Sequence, residues 1–250
     1  MSRCSSAGHA GRGTRRNFGP RTWLFDLDNT LHDASHAVFH RLDASMTAYI
    51  AQELGVSDEQ ADHLRRDYWR RYGATLLGLE RHHGIRAAHF LHLTHELPGL
   101  EHDLRAVVHD RAALRRLKGR KVVLTNAPAA YARRVLTALG LASHFQSIVS
   151  IEGMRVFGRL RPKPDTRMLR IVLARLKVAP EHAVLVEDTL GHLRAARRLG
   201  LQTVWMQGFL RANQHGPEAG ARLRRRPHYV RARIRGLREL CRWNPSVPSR

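Results

Sequence analysis

The hydrophobic pattern of this chain changes character twice. A short apolar run, Trp23-Leu24-Phe25, ends abruptly in Asp26-Leu27-Asp28-Asn29. It reads as a buried strand with two carboxylates at its C-terminal end. Over residues 33–109 no strand-like run occurs. Apolar residues recur there at helical spacing, as in Val38, Leu42, Ala44, Met46, Tyr49 and Ile50, and again over 58–72 and 89–97. Gly73, Gly78 and Gly84 punctuate the block, and Pro98-Gly99 closes a section of it. From residue 110 the pattern alternates. It predicts helices over 110–118, 131–139, 166–176 and 190–199, and strands over 121–124, 147–151, 183–186 and 202–206. Strands alternating with helices of this length mean βαβ units and a mostly parallel sheet. Nearly continuous apolar strands fit a sheet covered on both faces. After Phe209 the chain turns Arg-, Gly- and Pro-rich, with a weak helical signal over 230–240.

The expected fold class is therefore α/β. A parallel-sheet core spans 22–32 and 110–210, and an α-helical insert spans 33–109. A basic tail (1–21) and an Arg-rich C-terminal tail (211–250) flank them, and both read as disordered. No run of about 18 apolar residues occurs, so no transmembrane helix is expected. The N-terminal arginines lack a following apolar region, which argues against a secretory signal. The two cysteines, Cys4 and Cys241, fall in the tails. They make neither a disulfide framework nor a zinc site, and a reducing, cytoplasmic setting fits best.

The net charge of +22 raises nucleic acid as a partner. Its distribution weakens that reading. Residues 1–21 carry five Arg and no acid; residues 211–250 carry eleven Arg and two Glu, leaving +8 for residues 22–210. Only four lysines stand against 39 arginines, a bias in usage rather than a tuned binding face. The moderately basic middle suits an anionic substrate.

In open α/β sheets ligands bind beyond the carboxyl ends of the strands. The first predicted strand is followed by Asp26, Asp28 and Thr30; the second by Thr125 and Asn126; the third by a loop with Lys163 between two prolines; the fourth by Glu187 and Asp188. Each piece has an ordinary structural alternative. Asp28-Asn29 can break a strand as an Asx turn, Thr125-Asn126 can cap a helix, Lys163 can be a solvated loop residue, and Glu187-Asp188 can face a helix dipole. Those alternatives do not explain why all four groups fall at strand ends. Carboxylates from two strands can hold a hard divalent cation, for which Mg²⁺ is the natural choice. A phosphoryl group could bridge to it, held further by Lys163 and Thr125. One aspartate could attack phosphorus and another move the proton. Ten of the seventeen histidines lie in the helical block. His82 and His83 are adjacent, point to different helix faces and make a poor metal pair.

The order Asp-x-Asp-x-Thr, Thr-Asn, Lys-Pro and Glu-Asp over residues 22–207 resembles the four motifs of the haloacid dehalogenase-like (HAD) hydrolase superfamily. The helical insert resembles the C1 cap of its subfamily I. The resemblance implies a Rossmann-like core with a mobile cap. It implies Asp26 as nucleophile and Asp28 as general acid/base, Thr125, Asn126 and Lys163 as substrate-binding residues, with Thr125 and Lys163 on the phosphate, and Mg²⁺ held by Asp26, Glu187, Asp188 and the carbonyl of Asp28. His192 stands where members of the superfamily usually carry another polar residue, often Asn. Dehalogenases and phosphonatases of the superfamily lack an acid at the position of Asp28, so phosphate-ester hydrolysis or phosphomutase chemistry is expected. Phe25–Leu31, Tyr72 to Leu79 with Gly73 and Gly78, His95 to Pro98, Leu124–Ala127 and Thr203–Trp205 resemble pyrimidine 5′-nucleotidase-like members. They imply a nucleoside monophosphate as substrate, with Tyr68, Trp69 and Tyr72 as candidates for a wall against the base. The alternatives are a sugar-phosphate phosphatase or phosphomutase, and, from another class, a nucleic-acid-binding protein acting through its Arg-rich tails.

Overall fold

The computed structural model describes residues 21–243 apart from 106, 108, 214–222 and 224. The expectation of a disordered N-terminal tail, and with it Cys4, lies outside the described residues. In chain order the strands are β1 (Thr22–Phe25), β2 (Arg120–Leu124), β3 (Ser147–Val149), β4 (Arg155–Val156), β5 (Arg159–Leu160), β6 (Ala183–Glu187), β7 (Gln202–Met206) and β8 (Ala232–Ile234). Six of them make one sheet in the order β3-β2-β1-β6-β7-β8, every pairing parallel. β4 and β5 form a separate antiparallel hairpin. The chain builds outwards from β1 through β2 to β3, then crosses over and builds β6, β7 and β8 on the other side. The topological switch point lies between β1 and β6, where a crevice opens at the strand ends.

Residues alternate across β1 and split the interior into two layers. Trp23 and Phe25 pack on one face with Val123, Val186, Leu114, Tyr131 and Val135. Leu24 packs on the other with Val122, Leu185, Met168, Val172 and Leu193. The helices over these faces include α7 (Asp110–Arg116), α8 (Ala129–Ala138), α9 (Thr166–Arg175) and α10 (Leu190–Arg198), with α11 (Gly208–Asn213) after β7. This is the Rossmann-like arrangement expected from the strand–helix alternation.

The insert comprises α1 (Ala34–Ala37), α2 (Phe39–Leu54), α3 (Asp58–Tyr72), α4 (Thr75–His83), α5 (Ala87–Thr94) and α6 (Leu100–Asp103). Ser57 and Gln60 form a capping box that starts α3, and Gly73 in the left-handed region ends it. Tyr49, Ile50, Tyr68, Leu79 and Phe90 make an apolar cluster separate from those of the sheet, joined by Ile151 and Leu160 near the hairpin. Gly78 is what lets α3 and α4 meet: a Cβ there would stand 2.2 Å from Cγ of Tyr68. Tyr68 donates or accepts at 2.7 Å with His83, and Tyr72 at 2.6 Å with His82. The two neighbouring histidines thus serve two different tyrosines.

One expectation needs correction. The sequence over 230–240 suggests a weak helix in a loose tail; the structure instead places β8 at the edge of the sheet and a 3₁₀ turn at Leu237–Cys241. Val230, Ile234, Leu237 and Leu240 are buried. At about 2 kcal/mol for each buried aliphatic side chain, their burial draws the segment on to the sheet. The amide of Leu237 donates to Asp110 Oδ1 at 3.3 Å and ties this segment to the start of α7.

Candidate active site

Asp26 follows β1 directly, and its amide still donates to the carbonyl of Val186 on β6. The chain then turns sharply. Thr30 and Leu31 donate backbone hydrogen bonds to the carbonyl of Leu27, and Asn29 takes a left-handed conformation (φ 58°). Asparagine tolerates that region better than most residues. Its side chain exchanges two hydrogen bonds with Ser35, at 2.8 and 2.9 Å, which fixes the way out into the insert. The turn leaves Asp26 and Asp28 both at the crevice.

Lys163 is the buried cation of the site. Its Nζ donates to Asp26 Oδ1 at 2.6 Å and to Glu187 Oε2 at 2.8 Å. Asn126 holds the loop that carries it: the Asn126 amide donates to the Lys163 carbonyl at 3.0 Å and accepts from the Lys163 N–H at 2.9 Å. Both amide atoms of Asn126 are therefore engaged with the loop. Thr125 is buried beside it, and its Oγ1 accepts from the amide of Ala127 at 3.0 Å. Thr30 Oγ1 lies 3.3 Å from Asp26 Oδ2 as a weak donor.

The carboxyl groups of Asp26, Glu187 and Asp188 each offer an oxygen, all within 4.8 Å of one another. Burial and the charge of Glu187 push Asp26 up to about 7, against the pull of Lys163. Burial and the same neighbour push Asp188 up to about 9. Burial acts on Glu187 too, but Lys163 and His192 outweigh it and hold Glu187 well below the usual range. Three carboxyls crowded round one ammonium favour holding protons unless a cation offsets their repulsion, and the all-oxygen donor set fits a hard cation such as Mg²⁺. Glu187 is the most committed of the three, since its Oε1 also accepts from the amide of Thr189 at 3.1 Å. His192 Nδ1 stands 3.0 Å from Glu187 Oε2 without the alignment of a hydrogen bond.

Asp28 has a different environment. Its Oδ1 accepts from Tyr131 OH at 2.7 Å and lies 2.9 Å from His32 Nε2. Burial pushes this carboxyl up, but the bonds from His32 and Tyr131 outweigh it and hold Asp28 below the ordinary range. His95, at the end of α5, packs edge-on to Tyr131 at 5.7 Å, and burial lowers its pKa to about 4. Of the seven residues singled out from the sequence, six lie at or just beyond the ends of β1, β2 and β6, and Lys163 reaches them from the loop after β5, held there by Asn126. His32 and Tyr131 carry no signal of their role in the sequence. The turn that folds His32 back on Asp28 has no periodicity to betray it, and Tyr131 looks like any apolar position of α8. Among the proposed wall residues, Tyr68 is buried in the insert, while Trp69 is largely exposed.

Known proteins resemble this chain in sequence and in fold. A stretch of 103 residues is 40% identical to phosphoserine phosphatase of Thermus thermophilus, covering 41% of this chain and 39% of that protein. The chain is 27% identical over 210 residues to phosphoglycolate phosphatase of Aquifex aeolicus, covering 79% and 90% of the two. The fold matches the crystal structure of a HAD phosphatase from Thermococcus onnurineus with a TM-score of 0.60 at 22% identity, over 89% of this chain and 96% of that one. The chain therefore spans well under half the length of the phosphoserine phosphatase it matches. Since the haloacid dehalogenase-like hydrolase model matches residues 20–200, which hold every one of these strand-end groups, the chain belongs to that family.

Proposed function

We propose that this protein is a Mg²⁺-dependent phosphatase that hydrolyses phosphate monoesters through an aspartyl-phosphate on Asp26, with pyrimidine nucleoside monophosphates preferred. The observation that carries the reading is the buried bridge of Lys163 between Asp26 and Glu187. It holds Oδ1 of Asp26, and leaves Oδ2, which takes only a weak bond from Thr30, to attack phosphorus. Lys163 and Thr125 bind phosphoryl oxygens, and Asn126 keeps Lys163 in place. Asp26, Asp188 and Glu187, with the carbonyl of Asp28, are the groups that hold Mg²⁺. The bound ion supplies charge neutralisation at the phosphoryl group.

Asp28 moves the proton. At rest it is held as a carboxylate, ready to accept a proton from water when the aspartyl-phosphate is hydrolysed. An arriving phosphate ester brings negative charge beside it and raises its hold on a proton, which it then gives to the leaving oxygen. The helical block, residues 33–109, acts as a cap that closes over this core (22–32 and 110–210) and shields the reaction from water.

The preference for nucleotides rests on the resemblance of the Phe25–Leu31, Tyr72 to Leu79 and Leu124–Ala127 segments to nucleotidase-like members. A second reading, a phosphate ester of a small hydroxy acid, is favoured by the phosphoserine and phosphoglycolate phosphatases among the relatives. A panel of UMP, CMP, phosphoserine, phosphoglycolate and hexose phosphates decides between them. The expected result is the highest kcat/KM with UMP or CMP. A clear preference for a hydroxy-acid phosphate or a hexose phosphate would replace the nucleotide reading.

A further inference from the structure

Two buried polar residues meet Asp28 on the same atom. Tyr131 OH donates to Oδ1 at 2.7 Å and His32 Nε2 lies 2.9 Å from it. His32 is fully buried, and its other ring nitrogen, Nδ1, has no hydrogen-bond partner among the described residues. A proton on Nδ1 would be buried without an acceptor, which costs free energy. The favoured tautomer carries the proton on Nε2, so His32 also donates to Oδ1. Tyr131 is 2% exposed and braced by the ring of His95. Both donors are buried, and both meet the same oxygen of Asp28. No hydrogen bond to Oδ2 is found among the described residues, and the Asp28 side chain keeps 22% of its surface open to solvent.

We infer that His32 and Tyr131 are positioning residues for proton transfer: together they claim Oδ1 of Asp28, fix the carboxyl plane, and reserve Oδ2 for the proton that passes to and from the substrate. The inference rests on the phosphatase reading and deepens it. In the first step the bond from Asp26 to phosphorus forms, the ester P–O bond breaks, and the proton on Oδ2 goes to the leaving oxygen. In the second a water oxygen bonds to phosphorus, its proton goes to Oδ2, the Asp26–phosphorus bond breaks, and inorganic phosphate is released. A carboxyl free to turn would often hold its plane, and the proton it carries, out of line with the leaving oxygen. Misplacement on this scale has large effects on rate, because catalysis depends on the reacting atoms being held in line.

A structural role for the two donors predicts equal losses on all esters. A positioning role predicts losses that grow as the leaving group becomes more basic, because only poor leaving groups need the proton early. The test uses the full-length protein with Mg²⁺ and a series of aryl phosphates of graded leaving-group pKa, extended by one alkyl phosphate. Asp28→Asn should lose at least about 100-fold more on the alkyl ester than on the most activated aryl ester. Tyr131→Phe and His32→Phe should each show the same trend at roughly tenfold, and His32→Gln, which keeps a donor, should recover part of it. Thermal unfolding of each variant accompanies the rates; if Tyr131→Phe does not fold, the His32 pair carries the test. Losses independent of the leaving group in both Phe variants, beside a steep Asp28→Asn, overturn the inference and leave the phosphatase standing. A flat Asp28→Asn series instead removes the reading on which it rests.

Discussion

Lys163 Nζ stands 2.6 Å from Asp26 Oδ1, with both side chains buried. The contact ties a loop lysine to the end of β1 across 137 positions of sequence. Burying these charges is unfavourable unless they remain paired, so each residue depends on the other. Replacing Lys163 by Met should cost about 3–5 kcal/mol of stability, because it leaves Asp26 and Glu187 buried without their cation. Urea unfolding monitored by tryptophan fluorescence measures this.

Asp26→Asn tests the chemistry rather than the packing. It keeps size and shape but removes the nucleophile, and it should lower hydrolysis of p-nitrophenyl phosphate by at least about 1,000-fold. Substantial surviving turnover would sink the assignment of Asp26.

Chelation is the corresponding test of the carboxylate cluster. EDTA should inactivate the protein, and Mg²⁺ should restore it in proportion to occupancy. The same addition should raise the melting temperature, since a ligand that binds only the folded state stabilises it. Activity indifferent to EDTA would count against Asp26, Glu187 and Asp188 as a metal site.

Gly78 offers a test inside the insert. Alanine is the better helix former by about 1 kcal/mol. Its methyl group would nonetheless overlap the Tyr68 ring, 2.2 Å from Cγ. Overpacking of this kind costs about 1–3 kcal/mol and outweighs the propensity gain. Gly78→Ala should therefore lower the melting temperature and weaken the Tyr68–His83 bond, which is visible as a shift of the His83 ring resonances.

Asp110 carries the pH prediction. Burial pushes its carboxyl up from 3.8 to about 6 in the folded state, against the bond from the Leu237 amide. A raised carboxyl favours folding only while it is protonated. Its contribution is complete below the unfolded pKa and is lost as pH rises through about 6. Asp110→Asn removes the ionisable group and keeps an acceptor for Leu237. The variant should gain stability relative to the natural protein between pH 4.5 and pH 8, by about 2 kcal/mol, read as the difference between paired urea titrations.

How much of this was legible depends on the kind of signal. β1, β2, β6 and β7 are apolar runs bounded by breakers, and the ends of β1, β2 and β6 are marked in the sequence by Asp26, Thr125, Glu187 and Asp188. Lys163 stood out because lysine is rare in this chain. His32 and Tyr131 did not, because their role exists only once a turn and a helix converge on Asp28. β8 was hidden differently. Val230, Ala232 and Ile234 alternate with Arg231, Arg233 and Arg235, which is a strand period. The density of arginine masks that alternation, because a run of like charges reads as a solvated tail. The exposed arginines of the strand are what an edge needs to discourage pairing with another chain.

That edge carries a practical consequence. Trimming the chain at residue 210, an obvious way to remove its basic end, would strip β8 from β7 and uncover the backbone groups of Val204, Trp205 and Met206 that it pairs. The charge would fall, but a flat apolar edge without its arginine guard would face solvent. Such a shortened protein would be less basic yet less soluble, the reverse of what removing a sticky cationic tail is meant to achieve.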